Sequence, residues 1–288
     1  MFKKIYFVLC PPYHGATLIA KYLNAHPNVV SLGDAYPSNE YDQMCGCSSR
    51  VSKCSYWNSI KNNINAKKYE DEKSLLPLYN KITGTGLDNY LYHLIPGNFR
   101  KLITKKSLKE FHDCYVRFLE AVYEVEAKNR KMRPSIFVDG VKSISRVKAL
   151  YDSGINISGI IHLFRNPYDY VKSSQKNNPN IYDTKLSIRI RSVRYNGTHR
   201  IIEKMGKNFP IYNLYYKDFV ENNQLEFKNL LRFLDVEELP LQLNKEWHFM
   251  GNKSLLKFDG TLKVKKYEID NDIYPIIYRW SSSKRFGY

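Results

Sequence analysis

The sequence predicts an α/β fold with a central, mainly parallel sheet flanked by helices on both faces. Three observations carry that expectation. Lys4 to Cys10 is a β-rich, almost continuously apolar run, as a parallel strand covered on both faces requires. A Pro-Pro-Tyr-His-Gly turn leads from it straight into a segment with helical spacing of apolar residues. Further along, short apolar runs alternate with helical patterns, the order that builds parallel sheets.

The elements follow in turn. Ala16 to Ala25 reads as a helix because Leu18, Ile19, Tyr22 and Leu23 fall on one face. His26-Pro27 ends it, since the residue before proline is pushed out of the α region. From about Ser38 to Phe111 the periodicity weakens into mixed Cys, Asn, Gly and Lys with isolated aromatics. Long irregular stretches of this kind are often lids or binding loops, so 38–111 is assigned to a variable acceptor-binding insertion. Order returns with a helix at His112 to Arg130, a strand at Ser135 to Asp139 and a helix at Ser143 to Tyr151. A second strongly apolar strand, Ile157 to Phe164, precedes helical segments at Asn166 to Lys176 and Thr184 to Met205. Pro210 to Tyr216 reads as a strand and Leu225 to Leu234 as a helix. With no internal repeat and no low-complexity linker, residues 1–288 are expected to form one domain.

Composition narrows the function classes. The 43% hydrophobic and 25% charged residues are those of a globular chain. A net charge of +17 favours an anionic partner, although the basic residues are spread along the chain. The 24 tyrosines would suit base stacking. No helix-turn-helix, zinc-finger or RNP-type motif accompanies them, and no nucleic-acid partner is expected. No apolar run reaches the roughly 20 residues that span a bilayer. The five cysteines form an odd, irregular set, which speaks for a reducing, cytoplasmic setting without a membrane partner. Cys45, Cys47 and Cys54 suggest zinc, but only three ligands are apparent where structural zinc takes four. A local disulfide or packed thiols are expected there instead, and no metal.

The candidate anion site is Tyr13-His14-Gly15-Ala16-Thr17-Leu18, between strand and helix. N–H groups at a helix start, aided by the helix dipole, bind anions. Gly15 permits close approach, and Thr17 can donate from its hydroxyl. The loop lacks the first glycine and the lysine of an ATP- or GTP-binding G-x-x-x-x-G-K-[ST] motif. Taken alone, a glycine turn before a helix is structural more often than it is a ligand site.

Together with Leu23-Asn24-Ala25-His26-Pro27, the loop resembles the 5′-phosphosulfate loop of PAPS-dependent sulfotransferases of the bacterial branch (PAPS, 3′-phosphoadenosine-5′-phosphosulfate). Ile161-His162-Leu163-Phe164-Arg165-Asn166-Pro167, with Ser173 eight residues after Arg165, is similar to the family's 3′-phosphate motif. Three more segments agree in order: Val138-Asp139-Gly140-Val141-Lys142, Leu214-Tyr215-Tyr216-Lys217-Asp218, and His248-Phe249-Met250-Gly251-Asn252-Lys253. The resemblance implies a three-layer, P-loop-like fold, PAPS as donor and PAP as product. It implies cofactor contacts from residues 13–18, Arg165, Ser173, Tyr216, Gly251, Asn252 and Lys253, and places Lys142 where a catalytic lysine stabilises the leaving phosphate. Asp34 is the candidate base and His14 its rival, because imidazole titrates near neutrality.

This chain departs from the family at Tyr13 and His14, where Arg or Lys and then Ser are usual. The loss of that cation keeps a PAP-binding pseudoenzyme open as the first alternative, and the basic charge keeps a nucleic-acid-binding protein as the second. The acceptor is expected to be a small molecule. The N-terminal stretch resembles cyanobacterial toxin-tailoring sulfotransferases acting on saxitoxin-type guanidinium alkaloids. Under that likeness the acidic residues Asp34, Glu40 and Asp42 would face a cationic acceptor.

Overall fold

A computed structural model describes residues 1–33, 44–66, 105–140, 142–177, 184–241, 248–251 and 267–281. Five parallel strands form the sheet: β1 (Lys4–Leu9), β2 (Val29–Val30), β3 (Ile136–Asp139), β4 (Gly159–Phe164) and β5 (Ile211–Tyr215). Their order is β2-β3-β1-β4-β5, so β1 lies in the middle. It pairs with β3 from Lys4 opposite Ile136, and with β4 from Tyr6 opposite Gly159.

The helices are α1 (Ala16–Ala25), α2 (Ser55–Ala66), α3 (Lys105–Arg130), α4 (Ile144–Asp152), α5 (Pro167–Asn177), α6 (Lys185–Met205), α7 (Tyr216–Glu221), α8 (Asn223–Leu234) and α9 (Tyr274–Trp280). Alternation along β1 divides the core. Ile5, Phe7 and Leu9 join Phe137 and Ile160 in a cluster with α2, α3 and α4. Tyr6 and Val8 join Val138, Ile161 and Leu163 in a cluster with α1, α7 and α8. The result is the expected three layers, helices over each face of one parallel sheet. A third cluster ties the end of β4 to α5, α6 and α9 through Phe164, Tyr170, Tyr195 and Ile277.

Three boundaries differ from expectation. The supposedly irregular 38–111 stretch contains α2, which buries Tyr56, Trp57, Ile60 and Ile64 on one face. Its Asn and Lys residues dilute the apolar pattern without removing its period. Helix α3 begins at Lys105 rather than His112. Tyr216, expected at the end of a strand, opens α7 instead. The candidate residues Asp34, Glu40, Asp42, Asn252 and Lys253 lie outside the described residues.

Several local signals position the strand ends. Asn166 caps α5, its Oδ1 accepting from the Tyr168 amide at 2.8 Å, with Pro167 in the first turn. Ser143 caps α4 in the same way, accepting from the Arg146 amide. His26 closes α1, with its Nε2 2.9 Å from the Glu237 carbonyl and its Nδ1 accepting from the Asn28 amide. Arg130 adds hydrogen bonds to the His26 carbonyl and to Asn24 Oδ1. The His26-Pro27 pair thus anchors the end of α1.

Candidate active site

In open α/β sheets, ligands sit beyond the carboxyl ends of the strands, where the strand order reverses. Here that place is the carboxyl end of β1, between β3 on one side and β4 on the other. The 10–15 loop crosses it and delivers the N-terminus of α1. Two of its residues are left-handed, Tyr13 at φ 66° and Gly15 at φ 93°. Gly15 suits that conformation at no steric cost. A Cβ there would also run into Cε2 and Cδ2 of Tyr216, so only hydrogen fits between the loop and that ring.

Arg165 follows the last residue of β4. It is buried, and its Nη1 donates to the Tyr13 carbonyl at 2.6 Å. Its guanidinium lies 5.0 Å from the centre of the Tyr216 ring. Loop, tyrosine and arginine therefore stack in sequence, drawn from the ends of β1, β5 and β4. The Tyr195 hydroxyl fixes this strand end by donating to the Arg165 carbonyl at 2.8 Å. Arg165 Nε is buried without a hydrogen-bond partner among the described residues. A buried donor left open beside a helix N-terminus is suited to an anion.

The other expected residues distribute as follows. Thr17 lies in the first turn of α1, and Gly251 packs so closely on it that a Cβ on Gly251 would meet the Thr17 side chain. Ala16 and Leu18 bury their side chains in the core, and the Leu18 amide is engaged by the Gly15 carbonyl at 2.9 Å. Leu18 therefore belongs to the foundation of the loop rather than to its ligand face. Ser173 lies two turns along α5 on a half-buried position. Lys142, half-buried, follows β3 closely enough for its charge to act on His14.

His14 departs most from expectation. Its side chain is fully buried, 5.0 Å from the Tyr170 ring and 5.4 Å from His199 between ring centres. Burial lowers its pKa to about 3. The Pro12 carbonyl opposes that shift, while the positive charges of Arg165 and Lys142 add to it. With Pro12 O accepting at 3.1 Å, the proton sits on Nδ1. A neutral, inward-facing imidazole supports the loop from behind and is poorly suited to collect an acceptor proton. Sequence reading missed the buried pair behind it, His162 and His199, whose Nε2 and Nδ1 lie 2.7 Å apart. Their signal, one histidine inside an apolar strand and another in a long helix, is too bland to single out.

No protein-family model matches the chain, and no curated protein matches it by sequence. Solved structures do match. The sulfotransferase domain of the Synechococcus PCC 7002 olefin synthase is similar at a TM-score of 0.55 and 13% identity, over 100% of this chain and 95% of that one. Sulfotransferase STF9 from Mycobacterium avium is similar at 0.52 and 11% identity, over 98% of this chain and 76% of that one. At such identities the likeness concerns the backbone alone. This chain has the fold of the bacterial sulfotransferases.

Proposed function

We propose that this protein is a PAPS-dependent sulfotransferase acting on a hydroxyl or nitrogen of a small-molecule acceptor. The observation that carries the proposal is the Arg165 guanidinium, bonded to the Tyr13 carbonyl and stacked on Tyr216 at the N-terminus of α1. The open Nε of Arg165 fits a phosphate group of the donor. Sulfuryl transfer resembles phosphoryl transfer, so positioning and electrostatics supply most of the catalysis.

In this reading the α1 amides and Thr17 hold the 5′ side of the nucleotide, Arg165 and Ser173 its 3′-phosphate. Tyr216 stacks beside the loop, and the 251–253 segment covers it. Lys142 steadies the bridging oxygen as it gains charge. Asp34 takes the acceptor proton, a role the burial of His14 leaves to the carboxylate. A guanidinium alkaloid is the proposed acceptor class, faced by Asp34, Glu40 and Asp42. A cytoplasmic setting goes with it.

The test is calorimetric titration with PAP, with ATP as the control ligand. PAP binding that weakens at least tenfold in Arg165→Ala supports the site, and absence of PAP binding removes the proposal. A second reading, nucleotide binding without turnover, is favoured by Tyr13 standing where similar enzymes carry a cation. Lys142→Ala separates the two. In an enzyme it depresses turnover with acceptor far more than PAP affinity, whereas a binding protein shows no turnover to lose.

A further inference from the structure

We propose that Cys45, Cys47, Cys54 and His248 form a structural zinc site. The three cysteines alone leave a tetrahedral ion one ligand short. The fold supplies the fourth from far along the chain, by bringing residues 248–250 back against the cysteine loop. The four donor atoms all lie within 4.8 Å of one another. His248 Nδ1 is 3.4 Å from Cys54 Sγ and 3.6 Å from Cys45 Sγ, and Cys47 Sγ is 3.6 Å from Cys54 Sγ. Zinc–sulfur bonds of about 2.3 Å and zinc–nitrogen bonds of about 2.0–2.1 Å would put tetrahedral neighbours about 3.5–3.8 Å apart. These three separations lie close to that spacing, and the Cys47–Cys54 distance of 3.6 Å is much longer than the ~2.05 Å of a disulfide. None of the five cysteines is in a disulfide.

The surroundings are those of a closed site. Cys45 and Cys54 are buried. Trp57 Nε1 donates to Cys45 Sγ at 3.3 Å, an orientation that suits a thiolate bound to metal. The His248 ring is stacked on Tyr56 at 4.5 Å and 7°, which fixes its orientation. The cysteine loop is a tight turn, with the Ser48 amide donating to the Cys45 carbonyl at 2.9 Å and Ser48 left-handed at φ 63°. Four protein ligands leave no open position, so the ion is structural rather than catalytic. Binding would release the thiol protons to solvent and join the loop to the 248–251 segment. Backbone contacts already pair these segments: the Gly46 amide donates to the Phe249 carbonyl, and Cys45 and Met250 form an antiparallel bridge. The site stands whether or not the protein transfers sulfate.

The test is elemental analysis of the full-length protein purified under reducing conditions, followed by cobalt substitution. One zinc per chain is expected. So are the visible bands of tetrahedral cobalt, with near-ultraviolet thiolate-to-cobalt charge transfer. Cys47→Ser, at a half-buried ligand, should weaken the charge-transfer band in proportion to the thiolate lost, and His248→Ala should shift the visible bands. Cys114→Ser, away from the cluster, should change neither. Because a ligand variant can misfold, the wild-type protein decides the matter. Absence of stoichiometric zinc together with absence of tetrahedral cobalt spectra overturns the proposal. So does a Cys47–Cys54 disulfide that persists in the protein as purified under reducing conditions.

Discussion

Gly15 and Gly154 have nearly the same positive φ, 93° and 95°, but different neighbours. Nothing lies within 4 Å of a Cβ placed on Gly154, whereas one on Gly15 overlaps the Tyr216 ring. Replacing each by alanine therefore separates strain from contact. Left-handed backbone costs an L-residue about 1–2 kcal/mol, and the stiffer unfolded chain returns about 0.4–1 kcal/mol. Gly154→Ala should thus lose about 0–1.5 kcal/mol. Gly15→Ala carries in addition the displacement of a ring held between the loop and Arg165, and overpacking of this kind costs about 1–3 kcal/mol. Its total should be about 1–4.5 kcal/mol. Urea unfolding measures both, and the pair Gly15→Ala with Tyr216→Ala closes a double-mutant cycle. The coupling should be favourable, because removing the ring removes the clash. Equal losses in the two glycine variants, or strict additivity in the cycle, would refute the stacked arrangement of loop, tyrosine and arginine.

Two further outcomes test the scaffold. Arg146 Nη2 bonds Asp139 Oδ2 at 2.9 Å with both side chains buried, and the Tyr115 hydroxyl donates to the same oxygen at 3.0 Å. Arg146→Ala should cost about 3–5 kcal/mol in urea unfolding by leaving a buried carboxylate uncompensated, and a loss below about 1 kcal/mol would exclude that account. His14 and His162 both have pKa values lowered to about 3, chiefly by burial. The unfolded chain then binds more protons than the folded one between about pH 6.5 and 3, so stability is full above pH 6.5 and falls as pH drops through that window. Each histidine contributes up to about 1.4 kcal/mol per pH unit. Between pH 6.5 and 5, above most carboxylate titration, His162→Asn should flatten the stability profile measured by urea unfolding, and an unchanged slope would contradict the burial of a neutral ring.

The sheet was legible because β1 and β4 are apolar on both faces, which leaves little choice but a covered parallel strand. Gly15 was legible as a turn residue between a strand and a helix, whereas Arg165 was singled out by the resemblance of its segment to a 3′-phosphate motif and not by spacing alone. The cysteine cluster was not. Its fourth donor, His248, lies about two hundred residues away, and nothing local to Cys45–Cys54 points to it. Helix α2 was obscured by Ser, Asn and Lys on its exposed face, although its buried face kept helical spacing. Burial, too, escaped the sequence at His14. A polar residue in a glycine loop reads as exposed chemistry, and only the packing of Tyr170, Tyr195 and His199 around it turns the ring inward.

That inward turn bears on how the proposed enzyme would manage charge. The resemblance drawn from the sequence implies a cation at the position of Tyr13, and here the backbone at Tyr13 is left-handed with its carbonyl claimed by Arg165. The fixed positive charge at this loop is therefore contributed from β4, not from the loop itself. Lys142 adds a second from the β3 side, near enough to disfavour protonation of His14. A protonated His14 would have made a third cation in a buried place, and burial keeps it neutral instead. In the proposed enzyme the electrostatics needed for an anionic donor would then be divided between the ends of β3 and β4, which flank β1, and the amides of α1. On the proposed reading, an arrangement of this kind would tolerate a tyrosine at position 13 as long as Arg165 and Lys142 are both retained.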